Sequence, residues 1–237
     1  NYNIVVEIRN KNNEVVAYNK VFFQRDKPGL EVPVTDLSNV DISTTFVSRM
    51  NNIDTLADDI KSLWPISSVS ERQYVKTLLK RRDLQSMQQY FYNFWALRKS
   101  TNPEGAWLLY AQEVDKVNAA YSTKIKRGYE TDRGRVYLQY GPPNSMVQSL
   151  GEPSAYPYEI WHYYNIGNQK NKKFVFCNPD LVTNDYALIH SDANGEIYDY
   201  KWKQRIYQRN TSTNDIDAHG VTPHWGDRSD DFFDNPR

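Results

Sequence analysis

The segment GYETDRGRVYLQYGPP, residues 128–143, decides how the rest of this chain is organised. It follows a helical pattern and precedes strand-like patterns, so the secondary structure changes here. Gly128 suits the left-handed conformation that often ends a helix, and Gly134 allows a turn or a close backbone approach. Apolar residues alternate over 135–140, which predicts a strand that the Gly-Pro-Pro at 141–143 ends.

Three amphipathic helices are predicted between residue 70 and this segment. Ser70 and Gln73 have the spacing of a capping box, and Asp83 could cap a second helix. The run 102–104, Asn-Pro-Glu, combines a capping side chain, a proline at the first helical position and an acid at the positive end of the helix dipole. Helices this close in sequence should pack together. The aromatic residues that we expect in their common core are Trp95, Trp107 and Tyr121.

Strand patterns occur on both sides of the predicted helices. Residues 3–23 predict two strands around a polar turn, and a lone hairpin of this kind is only marginally stable in water. After the segment at 128–143, Asn194-Gly195 is a favourable hairpin turn that returns the chain through 197–200. Further strands are predicted at 158–165, 173–177 and 186–191. The fold class is therefore α+β: an N-terminal β-hairpin that is the remnant or edge of a β-sandwich, a three-helix layer, and a meandering antiparallel sheet.

Four segments follow from these patterns. Residues 25–69 carry Pro and Gly punctuation, a possible strand at 40–47 and a possible short helix at 55–63. Because the chain opens directly on a strand pattern without Met, we expect further residues upstream, with more of a β domain. The predicted segments are the end of that β domain at 1–24, a linker with short elements at 25–69, an α+β domain at 70–209 and an extended tail at 210–237.

Composition limits the classes of function. Lys plus Arg and Asp plus Glu both number 29, so the surplus of positive charge that nucleic-acid binding needs is missing. The single cysteine, Cys177, excludes an intrachain disulfide. No stretch approaches the roughly 20 apolar residues of a membrane span. The aromatic share of 14%, with 18 Tyr and 6 Trp, suits cores and interaction surfaces alike.

Candidates for catalysis are weak. Cys177 would need His162 or His190 beside it, but its apolar strand favours a small buried hydrophobe. His219 and His224 lie near acidic residues without the spacing of a common zinc site. The chain has no phosphate-binding loop and no dinucleotide fingerprint. We therefore predict no catalytic, metal-binding or cofactor-binding residue.

The segment at 128–143 resembles the motif of the GWxTD domain, a family found chiefly in Bacteroidota. Phe94-Trp95 with Arg98 is similar to an upstream element of the family, and Glu159-x-Trp161-x-Tyr163 to a downstream one. Tyr129 replaces the tryptophan of the family name, and Lys99 stands where an acid is commoner. The motif residues that we interpret as a structural corner are Gly128, Tyr129, Thr131, Asp132, Arg133, Gly134, Arg135, Gly141, Pro142 and Pro143.

The resemblance implies an exported protein of the periplasm or outer-membrane surface, often with a β domain before this one. A strand ending in Gly-x-Pro and followed by Trp-x-Tyr is also similar to small outer-membrane assembly lipoproteins, which are scaffolds. We expect a non-enzymatic interaction or scaffold component that contacts other envelope proteins. The alternative is an envelope enzyme or polysaccharide-binding protein with a site near Asp132; a polar cleft there would favour it.

Specific roles follow for a few side chains. Asp132 should brace the corner by accepting hydrogen bonds from turn amides or from an arginine. Arg133 and Arg135 could pair with Asp132, with Glu104 or with Glu113. The tripeptide 54–56 fits a short pattern at which Bacteroidota O-glycosylate exported proteins, so the resemblance makes Thr55 a possible glycosylation site. Aromatic residues of the tail are possible partner anchors. The possible anchors are Trp225, Phe232 and Phe233.

Overall fold

The computed structural model describes residues 2–11, 15–23, 41–152, 154–207 and 228–235. The chain divides into two compact units, Asn1–Val32 and Pro33–Arg237. In the first unit β1 (Tyr2–Arg9) pairs with β2 (Val15–Phe23) in an antiparallel hairpin, with an irregularity between Ile8 and Arg9. The two strands predicted within 3–23 are therefore confirmed.

The described part of the second unit contains seven helices and a four-stranded sheet, so the predicted α+β class is confirmed. None of the helices in the described ranges combines the length and the apolar composition needed to cross a membrane. Short 3-10 turns lie at Phe46–Arg49, Trp64–Ile66 and Gly128–Glu130. The helices are α1 (Ile53–Ser62), α2 (Val69–Arg81), α3 (Leu84–Arg98), α4 (Pro103–Tyr121), α5 (Asp132–Tyr140), α6 (Trp202–Ile206) and α7 (Ser229–Asp234).

The helix starts at Asp83 and Asn102 are confirmed. Asp83 accepts a hydrogen bond from the Ser86 amide at 3.0 Å, and Asn102 accepts one from the Gly105 amide at 2.8 Å. Each satisfies an N–H that has no partner within its helix.

The predicted capping box of α2 was placed two residues too late. Ser68 and Glu71 form it instead of Ser70 and Gln73. Both pairs have the required spacing, but only Glu71 also reaches the guanidinium of Arg98 in α3, at 2.9 Å. A tertiary ion pair therefore selects between two equivalent local signals.

Residues 135–140 form part of helix α5, so the predicted strand there is wrong. Alternation suggested a strand because α5 is buried on more than one side. Val136 packs against the sheet, whereas Leu138 packs against Val117 of α4. Apolar residues on opposite sides of a helix hide its usual period of 3.6. The likeness to assembly lipoproteins, which required a strand before Gly-x-Pro, loses its structural basis.

The sheet is an antiparallel meander, as predicted, in the order β3-β4-β5-β6. Its first strand, β3, was not predicted. Residues 41–47 and 197–200 contain no strand, so the strands expected there are wrong. The strands are β3 (Ser145–Ser149), β4 (Tyr158–Ile166), β5 (Gln169–Cys177) and β6 (Ala187–Ser191).

Both faces of the sheet are covered. Trp161 of β4 and Phe176 of β5 lie on the face that packs against α5. Tyr158 and Val175 point to the opposite face, where they meet α6. This follows from the two-residue period of strands and explains why β4 and β5 are apolar at successive positions.

The helical layer has its own core, which residues 41–69 help to build. Val47, Leu56 and Leu63 are fully buried there, so this stretch is more than the linker that we predicted. Trp95 and Trp107 share this core, with ring centroids 6.0 Å apart, as expected. The core also contains buried side chains from α2 and α3.

Tyr121 does not belong to that core, contrary to our prediction. Its ring lies 5.6 Å from Trp161 of β4 and 6.4 Å from Tyr137 of α5. It sits at the end of α4, beyond the reach of α3, and so joins the helices to the sheet.

Residues 228–235, which lie within the predicted extended tail, dock on the sheet. Phe232 and Phe233 of α7 pack against the second face of the sheet, with Phe233 5.2 Å from Trp202. The buried carboxylate of Glu152 accepts a hydrogen bond from the Arg228 amide at 2.8 Å. Trp225, the other predicted anchor, lies outside the described residues.

Candidate functional site

The corner formed by residues 128–141 requires two glycines. A Cβ on Gly128 would lie 2.1 Å from the carbonyl oxygen of Val117, and one on Gly134 would lie 1.9 Å from the carbonyl oxygen of Gly128. The backbones of α4, the 3-10 turn and α5 are therefore in direct contact. Gly128 does not adopt the left-handed conformation that we predicted. A glycine is required at this position because the backbone of α4 approaches it too closely for a side chain.

Thr131 connects the turn to α5. Its hydroxyl donates to the Gly128 carbonyl at 2.7 Å and accepts from the Gly134 amide at 3.1 Å. It is buried and serves as the N-cap of the helix. A Thr at this position, followed by an acid, is a typical helix start, and this signal could have identified α5 from the sequence.

Asp132 joins α5 to the edge of the sheet. One carboxylate oxygen, Oδ2, accepts a hydrogen bond from the Leu188 amide at 2.8 Å. Leu188 belongs to β6, the last strand of the sheet. The donor is thus a distant strand amide, where we predicted a turn amide or an arginine. The contact satisfies a backbone group at a sheet edge.

Arg133 lies inside the protein, in a network with the downstream motif residues. Its guanidinium donates to Glu159 at 2.8 Å and stacks 4.1 Å from the ring centre of Tyr186. Glu159 also accepts from the indole of Trp161 at 3.1 Å and from Gln148 at 3.0 Å. Both members of the ion pair are almost fully buried. The two separated motif elements therefore meet in one buried polar network.

Arg135 makes a second ion pair. Its two terminal nitrogens donate to the two oxygens of Glu196, each at 2.8 Å, and the Tyr140 hydroxyl donates to the same carboxylate at 2.8 Å. Glu196 follows the Asn194-Gly195 turn. The ion pairs that we predicted with Asp132, Glu104 or Glu113 do not occur among the described residues, because Arg133 and Arg135 bind Glu159 and Glu196 instead.

The remaining motif residues end the corner. Gly141 has a φ of +87°, where glycine is favoured, and stops α5. Tyr163 of β4 donates to its carbonyl oxygen at 2.9 Å. Pro142 and Pro143 then lead the chain into β3.

Among the described residues, Tyr129 has a buried polar atom without a partner, as does Arg133 at its Nε. Its ring is buried, and in the described part of the chain its hydroxyl has no hydrogen-bond partner. Burial raises its pKa to about 12, and the charge of Glu130 adds to this effect. It lines the cavity described next.

A cleft of about 440 Å³ opens beside the corner, and we call it the motif cleft. This size lies within the usual range of small-molecule sites. Sequence reasoning missed its opposite wall, because nothing in the pattern of α1 and α2 indicates which residues will face residue 132. The residues that line it are Lys61, Trp64, Val75, Lys76 and Leu79 on one side and Tyr129, Glu130, Asp132 and Arg135 on the other.

Asp59, on α1, is electrostatically unusual. Burial and the neighbouring carboxylates of Asp58 and Asp115 raise its pKa to about 6, against the smaller opposing effect of Arg127. The neighbouring Asp58 forms an ion pair with Arg127 at 2.6 Å. The described residues contain no group of three or more acidic, histidine or cysteine side chains arranged to hold a metal ion.

The other residues considered for chemistry lie apart. Cys177 is buried, and burial raises the pKa of its thiol to about 12. His190 is buried among aromatic rings, and burial lowers its pKa. Thr55 is exposed in the first turn of α1, and its modification stays a prediction. His219 and His224 lie outside the described residues.

The upstream motif element has a structural place. Arg98 donates to both oxygens of Glu71, each at 2.9 Å, and its guanidinium lies 3.5 Å from the ring centre of Phe94. The neighbouring Lys99, unusual for the resemblance, does not prevent this pairing. The element thus ties α3 to α2.

Comparison with known families agrees with the geometry. The model of the GWxTD domain matches residues 39–210. This is most of the chain, and it covers the corner, the helical layer and the sheet, so the chain belongs to the GWxTD domain family. No match was found among curated proteins or among solved structures.

Proposed function

We propose that this member of the GWxTD domain family is a non-enzymatic interaction component of a bacterial cell-envelope complex. The observation that carries the proposal is the commitment of the motif to internal contacts. Thr131, Arg133 and Arg135 are each bound to other parts of the same domain. Asp132 accepts a hydrogen bond from the Leu188 amide of β6. Such a motif holds three structural elements together, as a scaffold requires.

The chemistry of the corner supports this role over catalysis. A general acid or base needs a side chain that can exchange a proton with a substrate, near a second titrating group. Arg133 and Glu159 are buried and bound to each other, and Thr131 is buried as a helix cap. These groups are positioned to keep the fold rigid.

A contact surface is available at residues 197–200. Ile197, Tyr198 and Tyr200 are 47%, 71% and 73% exposed. They follow the turn at 194–195 and lie beside β6, because the Ser191 amide donates to the Ile197 carbonyl at 2.7 Å. Exposed tyrosines are enriched in protein interfaces. We name this surface the tyrosine edge and propose that it contacts a partner.

The family resemblance supports the proposed location, since GWxTD proteins are typically exported. The periplasm or outer-membrane surface is where such an interaction component would act. The partners would be other envelope proteins.

The test is affinity purification of the tagged full-length protein from the envelope of its own organism, followed by mass spectrometry. We expect co-purifying envelope proteins that are lost from the double variant Tyr198→Ala/Tyr200→Ala. Tyr164→Ala is the matched control, because Tyr164 is also an exposed tyrosine, at 54%, but lies on β4. Recovery of the wild type as a lone monomer would refute the proposal.

A further inference from the structure

A second cavity adjoins the motif cleft. This neighbour has a volume of about 230 Å³ and shares Lys61 and Leu79 with the motif cleft. Its far end is lined by Asp54 and Arg82, which form an exposed ion pair at 2.6 Å. The two cavities adjoin at Lys61 and Leu79, beside α1 and α2, and we refer to them together as the groove.

Trp64 supplies an aromatic surface within this groove. Trp64 is 37% exposed, although a side chain as large and apolar as tryptophan is normally buried more completely. Arg72 and Lys76 lie 5.3 and 5.5 Å from the ring centre and stabilise its position. A flat indole in a cleft can stack against the apolar face of a sugar ring.

Free polar groups surround the indole. Among the described residues, Oδ1 of Asp132, Oε1 of Glu130 and the ammonium of Lys76 make no hydrogen bond or ion pair within the chain. Carboxylate oxygens accept hydrogen bonds and an ammonium donates them. Hydroxyl groups both donate and accept hydrogen bonds, so a ligand rich in hydroxyl groups would match these donors and acceptors.

The charge of the groove argues against a phosphorylated or sulfated ligand. Glu196 neutralises Arg135 through both of its oxygens, and Lys61 is paired with Asp58 at 3.1 Å. The charge of the remaining cation, Lys76, is offset by the carboxylates of Glu130 and Asp132, which line the same cleft. Anion-binding sites need an excess of positive charge, and this groove has none.

The walls also argue against an extended peptide. Peptides of that kind usually add a strand to a sheet edge. This groove is lined by side chains of α1, α2 and residues 129–135, whose backbones are helical or turn-like. An amphipathic peptide helix would need a continuous apolar groove, whereas charged side chains such as Lys61, Glu130 and Asp54 interrupt the apolar lining here.

We propose that the groove binds a linear, uncharged oligosaccharide, with one sugar ring stacked on Trp64 and hydroxyls bound by Asp132 and Glu130. This goes beyond the protein-contact role and does not depend on it, because the tyrosine edge is formed by other residues. Either proposal can fail while the other holds.

The test begins with the purified full-length protein on a microarray of neutral, acidic and phosphorylated glycans, followed by titration calorimetry with the neutral glycans that bind. We expect binding to a neutral glycan and at least a tenfold loss of affinity in Trp64→Ala. Glu130→Gln should weaken binding while keeping the carbonyl oxygen that accepts from the Arg127 amide at 2.9 Å. Tyr164→Ala should bind as the wild type does.

Several results would overturn the proposal. These are no glycan binding on the array, a preference for acidic or phosphorylated glycans, and unchanged affinity in a Trp64→Ala variant whose unfolding curve matches the wild type. Trp64-dependent binding only to members of a displayed peptide library would identify the groove as a peptide site instead.

Discussion

Residues 128–141 present two contrasting environments. Toward the inside, Thr131 and Arg133 are buried, and the Thr131 hydroxyl and the terminal nitrogens of Arg133 bind other groups of the fold. Toward the outside, Glu130 and Asp132 line the motif cleft and keep carboxylate oxygens without a described partner. One short segment thus supplies both a rigid corner and an open wall. A family motif can therefore be required for folding and still border a binding site, and only mutations separate the two roles.

The largest expected effect comes from the inner side. Gly134→Ala places a Cβ 1.9 Å from the Gly128 carbonyl oxygen, so α5 must move away from the 3-10 turn. We expect a loss of about 5 kcal/mol in the free energy of unfolding, measured with urea. Gly151→Ala is the control, since a Cβ there meets nothing within 4 Å. Equal stability of both variants would show that the corner is not tightly packed.

Removing the buried guanidinium of Arg133 should lower the free energy of unfolding nearly as much as Gly134→Ala does. Arg133→Ala leaves the Glu159 carboxylate buried without its charge partner, which costs about 3–5 kcal/mol in comparable cases. Arg49→Ala breaks the exposed ion pair with Glu104 and should cost less than about 1 kcal/mol. If urea unfolding gave similar costs for the two variants, the buried network would not be the stabilising element that we describe.

A smaller effect is expected at the border between the two environments. Asp132→Asn keeps an oxygen for the Leu188 amide but loses the charge, so stability should fall by about 1–3 kcal/mol. Recovery of the envelope partners should fall only with the amount of folded protein, measured by melting temperature and immunoblot, because the tyrosine edge is formed by other residues. An unchanged melting temperature together with lost partner recovery would instead place the partner contact at Asp132.

The smallest predicted effect is a gain in stability, and it comes from removing the charge of Asp59. The pKa of Asp59 is raised to about 6 in the folded state, above its value in the unfolded chain. The folded protein therefore holds this proton more tightly, and stability decreases as the pH rises between about 4 and 6.

Asp59→Asn should remove this penalty. Allowing for its partial exposure to solvent, we expect a stabilisation of about 1 kcal/mol at pH 7.5 that disappears near pH 4. Asp58→Asn is the control and should not stabilise, because it breaks ion pairs with Lys61 and Arg127. Thermal unfolding at both pH values distinguishes them; a pH-independent gain in Asp59→Asn would contradict the electrostatic explanation.

The sequence predicted correctly those helix starts and strands whose signal lies within a few neighbouring residues. Capping residues such as Asp83 and Asn102 fixed two helix starts, because each bonds an amide within its own first turn. The strands β4, β5 and β6 were predicted from β-branched and aromatic runs. Residues 135–140 were misassigned because burial on two sides removed the helical period.

The site was less predictable than the fold. The motif residues were recognised, yet their partners were not: Glu159, Glu196 and Leu188 lie 26, 61 and 56 residues from the groups that they bind. Trp64 and Lys76 gave no local signal of a cleft. Their importance depends on how α1 and α2 are placed beside the corner.

The sequence alone determined the family, the α+β class and the residues of the corner, since motif spacing and helix caps depend on neighbours along the chain. The tertiary structure decided which groups Arg133, Arg135 and Asp132 bind, and which side chains remain available in the motif cleft. The physical reason is that ion pairs, buried hydrogen bonds and cavities depend on distances between residues far apart in sequence, which the packing of helices against the sheet sets.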